Sequence, residues 1–305
     1  MASDRCAILD HGSAAASATR RTASGRYHPR VTAAPSPSDP AAPPPGAAQR
    51  LLLGGRSDLL VREEPLLLVV HGQQLLTMRT PGRDEDLALG FLLGEGIIGA
   101  AAEVRSLVFQ QGDAAQQRAD ELQVSLSQPP DARMQGRLAR THEIRSSCGV
   151  CGLADPQQVL EDTPPLLPGV PQVDRLLLPR LVEELQRRQQ LFAATGGCHG
   201  ALIAGADGAV FGFAEDVGRH NALDKAIGQA ARSHGDLGRA IAVLSGRGGY
   251  DLVIKCLRVR IPVIASVSAP SALAFDLCAA AGATLLGFVR GSQSVVYCDG
   301  GVRLR

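Results

Sequence analysis

The sequence contains no tryptophan, and only 3% of its 305 residues are aromatic. A surface that binds single-stranded nucleic acid by stacking its bases needs aromatic side chains, so their scarcity argues against that function. No apolar run approaches the roughly 18 residues that a helix needs to span a bilayer, so we expect no membrane span. The formal net charge is only +1, which gives no indication of binding to nucleic acid or to an anionic membrane surface.

The sequence also lacks a disulfide framework. It has seven cysteines, an odd number without regular spacing, which is typical of free thiols in a reducing, cytoplasmic compartment. Cys256 and Cys278 lie in apolar helical patterns, and Cys298 ends a strand-like run. We therefore interpret these three as small packing residues.

The composition divides the chain into segments. Residues 1–47 are rich in alanine, proline, serine and arginine, so we predict a disordered tail. Its paired arginines are not followed by an apolar stretch, so we do not expect it to direct export. Residues 48–145 mix strand-like and helix-like patterns and are predicted to form a small α+β domain. Residues 146–174 hold a Cys-x-x-Cys motif and a proline-rich stretch, and are predicted to form a mobile loop and linker.

The remaining segment, residues 175–305, changes to a regular alternation of elements. It begins with one helical pattern that ends at Gly196-Gly197, and a hairpin across "ADG" follows. Strands and helices then alternate as far as the final two strands. Such alternation is typical of an α/β layer fold whose sheet is at least partly parallel.

Polar and glycine-rich clusters follow several of these strands. They are "EDVGRHNALDK" (215–225), "SGRGGYD" (245–251) and "GFVRGSQ" (287–293). Ligands of open α/β sheets bind outside the carboxyl ends of the strands. If the clusters meet there, their basic residues would surround a polyanion, most simply a nucleoside diphosphate. These basic residues are Arg219, Lys225, Arg247 and Arg290. The alternative is ordinary solvated surface charge.

Some polar residues of these loops have a purely structural interpretation. Asn221 can N-cap the helix that follows it, with Asp224 three residues on in a capping-box pattern. Ser268 can cap the next helix, with Pro270 in its first turn.

The motif "RSSCGVCG" spans residues 145–152 and admits several chemistries. Structural zinc would require Cys198 and His199 as further ligands, but adjacent side chains on a strand diverge, so we expect no structural metal. Glycines beside both Cys148 and Cys151 predict an exposed loop. Nearby Arg145 favours the reactive thiolate. A redox dithiol remains possible, and a carrier that takes sulfur as a persulfide is the other candidate.

Several motifs together resemble the FdhD family of formate dehydrogenase accessory sulfurtransferases. They are "SSCGVCG", "TGGCHGA", "EDVGRHNALDK", "LSGRGGYDLVIK", "VSAPSALAFDLC" and "TLLGFVRG", in that order between about residues 50 and 298. The resemblance implies a cytoplasmic homodimer that takes sulfur from a cysteine desulfurase. It implies transfer of that sulfur to molybdenum bis(molybdopterin guanine dinucleotide), which the protein binds as its substrate. A formate dehydrogenase needs this cofactor in its sulfurated form. It also implies a three-layer, cytidine deaminase-like C-terminal domain beside the smaller N-terminal α+β domain.

The resemblance assigns roles to individual residues. Cys148 matches the cysteine that bears the persulfide, and Cys151 is its partner. The stretch that matches cofactor binding comprises Phe288, Val289, Arg290, Gly291, Ser292 and Gln293. We add Arg219, Lys225 and Arg247 because they lie in the clusters expected at the same edge.

We therefore predict a sulfur carrier that acts through a cysteine persulfide. The runner-up is a chaperone that binds the molybdenum cofactor without transferring sulfur. A zinc-stabilised interaction module is a third class. A base deaminase is excluded, because the chain lacks a His-x-Glu followed by Pro-Cys-x-x-Cys.

Overall fold

Alternating leucine and valine side chains build the first sheet of the molecule. The computed structural model describes residues 43–143, 160, 163–291 and 293–305. The first strands are β1 (Ala47–Leu51), β2 (Ser57–Val61), β3 (Glu64–Val70), β4 (Gln73–Arg79), β5 (Val104–Gln110) and β6 (Asp120–Leu126). β1 and β2 form a separate hairpin, and the others form one sheet in the order β4-β3-β6-β5. The turn between β3 and β4 has positive φ angles at His71 and Gly72.

The second sheet has six strands in the order β12-β11-β10-β9-β7-β8. They are β7 (His199–Ala204), β8 (Val210–Asp216), β9 (Ile241–Leu244), β10 (Val263–Ser266), β11 (Thr284–Arg290) and β12 (Gln293–Asp299). β9, β10 and β11 are mutually parallel, while β7 and β12 run antiparallel to their neighbours. The predicted mixed α/β architecture, with a partly parallel sheet, is confirmed.

Helices cover both faces of the six-stranded sheet. The α-helices are α1 (Asp84–Gly94), α2 (Ala132–Glu143), α3 (Leu177–Arg188), α4 (Gln190–Thr195), α5 (Arg219–His234), α6 (Tyr250–Arg258) and α7 (Ala272–Ala280). α3 packs on one face of the sheet through Leu178, Leu181 and Leu185. α5, α6 and α7 pack on the other face, and α1 with the four-stranded sheet continues the same apolar core. Among the described helices, none is long and apolar enough to cross a bilayer.

Glycines allow α1 and α5 to approach until their backbones touch. A Cβ added to Gly90 of α1 would lie 1.7 Å from the backbone oxygen of Asp224 in α5. A Cβ added to Gly228 of α5 would lie 2.0 Å from the backbone oxygen of Asp86 in α1. Because the contact is reciprocal, this crossing joins the N-terminal and C-terminal halves, and residues 43–305 form one compact unit.

The proline-rich stretch is tied to the C-terminal residues. The buried guanidinium of Arg303 donates to the carbonyl oxygens of Leu167 (2.8 Å), Val170 (2.8 Å) and Gly282 (2.6 Å). Val173 adds a backbone hydrogen bond to Arg303 (2.8 Å). The sequence predicted a mobile loop and linker over residues 146–174. Residues 163–174 are instead held by these contacts, and most of the remainder lies outside the described residues.

Local details differ from the sequence predictions at three places. The single helix predicted before Gly196 is two helices, because the backbone at Gln189 leaves the helical region (φ −73°, ψ 65°). The capping box is wrong: α5 begins at Arg219, and Asn221 donates instead to the carbonyl oxygen of Met78 (2.7 Å). Ser268 does not cap α7, since the cap is Ser271, whose hydroxyl accepts from Ala274 N (3.2 Å). The predicted tail, residues 1–47, lies almost wholly outside the described residues.

Candidate functional site

One edge of the six-stranded sheet gathers the polar loops. β8, β9, β10 and β11 all end there, and β7 and β12 begin there, because of the strand directions. We call this the carboxyl edge. Its loops touch one another: Gly248 bridges to Pro270, and the amide of Phe288 donates to Ser268 O (3.3 Å). The edge predicted from the order of strands and polar clusters therefore exists as a continuous surface.

A cavity of about 110 Å³ opens at the carboxyl edge between β7 and β9. Its wall combines the apolar side chains of Leu244 and Leu252 with four polar ones, which are those of His199, Arg219, Ser245 and Arg247. The amino end of α6 lies beside it. Amide groups at a helix N-terminus and arginine side chains both attract anions. The cavity is thus suited chemically to a phosphate-sized anion.

Asp251 links two of the basic side chains to α6. Its Oδ2 accepts from Arg219 Nε (2.9 Å) and lies 2.6 Å from His220 Nε2. Burial opposes ionisation of this carboxyl, but the hydrogen bonds and charges of His220 and Arg219 lower its pKa to about 2. Asp251 is therefore ionised throughout the neutral range and orients Arg219 at the cavity wall.

The surroundings of His199 in the cavity wall disfavour its protonated, positively charged form. Burial, with the positive charges of Arg219 and His220, lowers its pKa below the ordinary value. A neutral imidazole offers one donor and one acceptor, so it can bond a ligand without adding charge. The sequence drew attention to His199 only as a possible zinc ligand. The sequence could have identified His199 as a cavity residue from its position at the start of β7, which places it at the carboxyl edge.

Much of the polar cluster that follows β8 joins elements of the fold. Glu215 accepts from the amides of Leu191 (2.9 Å) and Phe192 (2.8 Å) at the start of α4. Asp216 is fully buried and accepts from Thr80 N (3.1 Å) at the end of β4. Glu215 thus fixes the start of α4, and Asp216 fixes the end of β4, at the carboxyl edge. These structural roles explain part of the crowding of charge seen in the sequence.

Lys225 does not line the cavity, contrary to the expectation that it surrounds the ligand. It is 2% exposed, and its Nζ donates to Asp216 Oδ2 (2.6 Å) and to Thr80 O (2.7 Å). A buried lysine needs such partners because desolvation of an unpaired charge is costly. Lys225 therefore stabilises the carboxyl edge through buried contacts with Asp216 and Thr80.

The end of β11 reaches the same edge. Phe288, inside β11 where its pairing with β12 shifts register, has φ +52°, an unusual conformation for a bulky residue, and is 42% exposed. Arg290 is exposed and donates to Val267 O (3.2 Å), whereas Val289 is fully buried in the apolar layer. Gly291 and Gln293 are exposed at the hairpin turn. Ser292 lies outside the described residues.

The two motif cysteines, Cys148 and Cys151, also lie outside the described residues, in the gap that follows α2. Cys198 is 5% exposed and donates to Glu215 Oε1 (3.3 Å). Burial and the negative charge of Glu215 raise the pKa of its thiol, which makes Cys198 a poor nucleophile. Among the described residues, no three His, Cys, Asp or Glu side chains are placed to hold a metal ion.

A buried charge network lies behind the edge, between α1, α5 and α6. Lys255 contacts Asp224 (3.0 Å) and Glu95 (2.8 Å), and Arg258 contacts the other oxygen of Glu95 (3.1 Å). Burial raises the pKa of Asp224 to about 6, despite the opposing effect of Lys255. Burial also opposes ionisation of Glu95, but the two cations lower its pKa to about 2.

Replacing Asp224 by asparagine should change how stability depends on pH. The pKa of Asp224 is raised in the folded state, so the wild-type protein loses stability as the pH rises from about 4 to about 6. Asparagine does not titrate. The variant should therefore gain about 2 kcal/mol relative to wild type between about pH 4.5 and about pH 7.5. Urea unfolding at the two pH values measures the difference.

The matched control is Asp276→Asn, on the exposed face of α7. Its stability relative to wild type should be the same at both pH values. A pH-independent difference for Asp224→Asn as well would show that Asp224 is not desolvated in the folded protein.

This chain is similar in sequence to a known protein family and to several of its members. The FdhD/NarQ family matches residues 61–303. Sulfur carrier protein FdhD of Anaeromyxobacter dehalogenans (strain 2CP-C) is 42% identical over 251 residues, covering 78% of this chain and 86% of that protein. Sulfur carrier protein FdhD of Mycobacterium tuberculosis (strain H37Rv) is 41% identical over 248 residues, covering 77% and 88%.

A solved structure shares the fold. It is a crystal structure of a protein described as a formate dehydrogenase accessory protein, from Desulfotalea psychrophila, with a TM-score of 0.63 and 24% sequence identity. The match covers 85% of this chain and 97% of that chain. Since the family match covers both sheets and the carboxyl edge, and relatives above 40% identity extend over most of the sequence, this chain belongs to the FdhD/NarQ family.

Proposed function

We propose that this protein is a sulfur carrier that serves a formate dehydrogenase. Cys148 receives sulfur as a persulfide from a cysteine desulfurase, with Cys151 as its partner thiol. The sulfur then passes to molybdenum bis(molybdopterin guanine dinucleotide), the substrate held at the carboxyl edge. The similarity to relatives named sulfur carrier protein supports this proposal.

The observation that carries the proposal is the basic cavity at the carboxyl edge of a chain that also has a Cys-x-x-Cys motif. Arg219 and Arg247 face the cavity from α5 and from the loop after β9. A guanine dinucleotide carries phosphate groups that such side chains bind by charge-assisted hydrogen bonds. The cavity, of about 110 Å³, has room for one phosphate group of such a substrate.

The end of β11 extends the proposed site along the edge. β10 separates β11 from β9, so Phe288 lies at least two strand spacings, about 10 Å, from the cavity between β7 and β9. The exposed ring of Phe288 offers a flat face on which a guanine base can stack. Its left-handed backbone is the kind of local strain that recurs at ligand sites. We assign the phosphates to the cavity and a base to the exposed ring of Phe288.

Replacing Arg247 by alanine should weaken binding of GDP, a fragment of the proposed substrate. Loss of one charge-assisted contact should lower the affinity about 10-fold, with most of the effect lost at high salt. Titration calorimetry with GDP measures the affinity. Arg239→Ala is the matched control, because Arg239 is exposed and precedes the amino end of β9, at the opposite edge. Equal affinities for the two variants would remove Arg247 from the site.

A second candidate function requires the cavity but not the Cys148 thiol. A chaperone that only binds the molybdenum cofactor needs the arginines, whereas a carrier also needs Cys148. Replacement of Cys148 by alanine therefore separates the two, since only the chaperone would still support an active dehydrogenase. The proposal includes a cytoplasmic homodimer with a cytidine deaminase-like arrangement of the C-terminal sheet.

A further inference from the structure

A second, larger hollow lies beside the four-stranded sheet, between the turn at Ala101–Glu103, the end of β6 and the first turn of α2. Its volume is about 490 Å³, and it shares no residue with the smaller cavity at the carboxyl edge. We call it the α2 groove. Its lining includes four apolar and two acidic side chains, which are Ile97, Leu126, Pro129, Met134, Glu103 and Asp131.

The walls of the α2 groove are held in place by the fold. Ile97 and Leu126 belong to the main apolar core. On α2, the buried guanidinium of Arg137 donates to the carbonyl oxygens of Glu95 (2.8 Å) and Gly96 (3.0 Å), just past the end of α1. The groove is therefore preformed, as ligand sites usually are.

Both ionisable side chains in the lining are acids, and each has an oxygen that makes no hydrogen bond within the described part of the chain. Glu103 accepts through Oε1 from the amides of Gly99 (2.8 Å) and Ala100 (2.9 Å). Asp131 accepts through Oδ1 from Met134 N (2.7 Å) at the start of α2. The groove thus combines apolar walls with negative charge, which is complementary to an apolar side chain flanked by lysine or arginine.

The α2 groove is close in the chain to the motif that carries the sulfur. α2 ends at Glu143, five residues before Cys148. At about 1.5 Å per helical residue and at most about 3.5 Å per extended residue, Cys148 lies within roughly 31 Å of Met134. A protein bound at the groove can therefore meet this thiol. The basic cavity, in contrast, lies at the edge of the other sheet, so a carrier would have a separate surface for each partner.

We propose that the α2 groove is the docking site for the sulfur donor, the cysteine desulfurase. The inference rests on the proposed function, because it names the surface that binds its donor. The donor inserts an apolar side chain flanked by lysine or arginine, and its persulfide then meets Cys148. The Cys148 thiolate attacks the outer sulfur, which keeps its proton, and the donor's S–S bond breaks. The donor cysteine leaves as a thiolate, so the exchange needs no further oxidant or reductant.

The test removes the negative charge of the groove while preserving its shape. Glu103→Gln and Asp131→Asn, combined in the full-length protein, keep the oxygens that accept the backbone hydrogen bonds. Persulfide loading of Cys148 from desulfurase and cysteine is followed by mass spectrometry. At limiting desulfurase and low salt, the double variant should load about 10-fold more slowly than wild type. The two proteins should load at similar rates in about 0.5 M sodium chloride, where the attraction is screened.

A small-molecule donor, glutathione persulfide, separates docking from chemistry. It needs no docking surface, so wild type and the double variant should load equally from it. The control, Glu183→Gln with Asp276→Asn, makes the same change of net charge at exposed positions of α3 and α7. It should load as wild type does from both donors.

Equal loading of all three proteins from the desulfurase would overturn the proposal. Loading of the groove variant that is equally slow from both donors would overturn it too, because the groove would then act on the thiol rather than on the donor. If wild type loads from neither donor, the carrier function itself is wrong, and the docking site with it.

Discussion

The Cys148→Ala protein should accumulate no persulfide and should leave the formate dehydrogenase at the activity seen without any carrier. Alanine removes the sulfur that attacks the donor, and the buried thiols of Cys198, Cys256 and Cys278 are poor substitutes for it. Cys198 and Cys256 are buried with raised pKa values, and Cys278 holds its proton. Mass spectrometry after incubation with a desulfurase and cysteine measures loading, as a gain of about 32 Da per sulfur on the peptide that contains Cys148.

Cys198→Ala is the matched control for this experiment. It removes one thiol from the same protein, but one that donates to Glu215 inside the fold. This variant should load sulfur on Cys148 and activate the dehydrogenase as wild type does. If Cys148→Ala still supports a sulfurated, active dehydrogenase, the carrier function is wrong and the chaperone function remains.

The Gly90→Ala protein should lose about 3 kcal/mol or more of its unfolding free energy. The new Cβ would lie 1.7 Å from the backbone oxygen of Asp224, so α1 and α5 would have to separate. Side-chain motion cannot relieve the overlap, because the neighbouring atom belongs to the backbone. The separation would also disturb the contacts of Lys255 with Asp224 and Glu95. Urea unfolding followed by circular dichroism measures the loss of unfolding free energy. A Gly90→Ala protein too unstable to purify would also agree with the prediction.

Gly136→Ala is the control for helix propensity. Gly136 is also inside a helix, α2, but a Cβ there meets nothing within 4 Å. Alanine should therefore stabilise the protein by about 0.5 to 1 kcal/mol, the usual advantage of alanine over glycine in a helix. If Gly90→Ala behaved in the same way, the close crossing of α1 and α5 would be refuted.

The elements of the fold could be predicted because each leaves a local pattern. A short continuous apolar run marks β3, and the acidic start at Asp84 marks α1. The order of strands and helices after β7 then places the polar loops at one edge, since parallel strands joined by helices all end on the same side. This reasoning needs no long-range contact, and for that reason it succeeded.

What could not be predicted depends on contacts between distant residues. Lys225 looked like a surface cation because its partners, Asp216 and Thr80, become neighbours only when β4 packs beside α5. The sequence could not show that Gly90 faces a backbone oxygen 134 positions later. Asp251 escaped notice because only the folded chain joins it to Arg219 and His220.

The contacts of Arg303 with the segment at residues 167–170 can form only late in translation. Its guanidinium holds carbonyl oxygens at positions 167 and 170, more than 130 residues earlier in the chain. Chains begin to fold from the N-terminal side as they leave the ribosome. The four-stranded sheet is complete in sequence well before residue 303 is made, whereas the segment that follows the Cys-x-x-Cys motif gains this clamp only afterwards. A nascent chain stalled before residue 303 should therefore be cut readily by proteases within residues 163–173, whereas the completed protein should resist cleavage there.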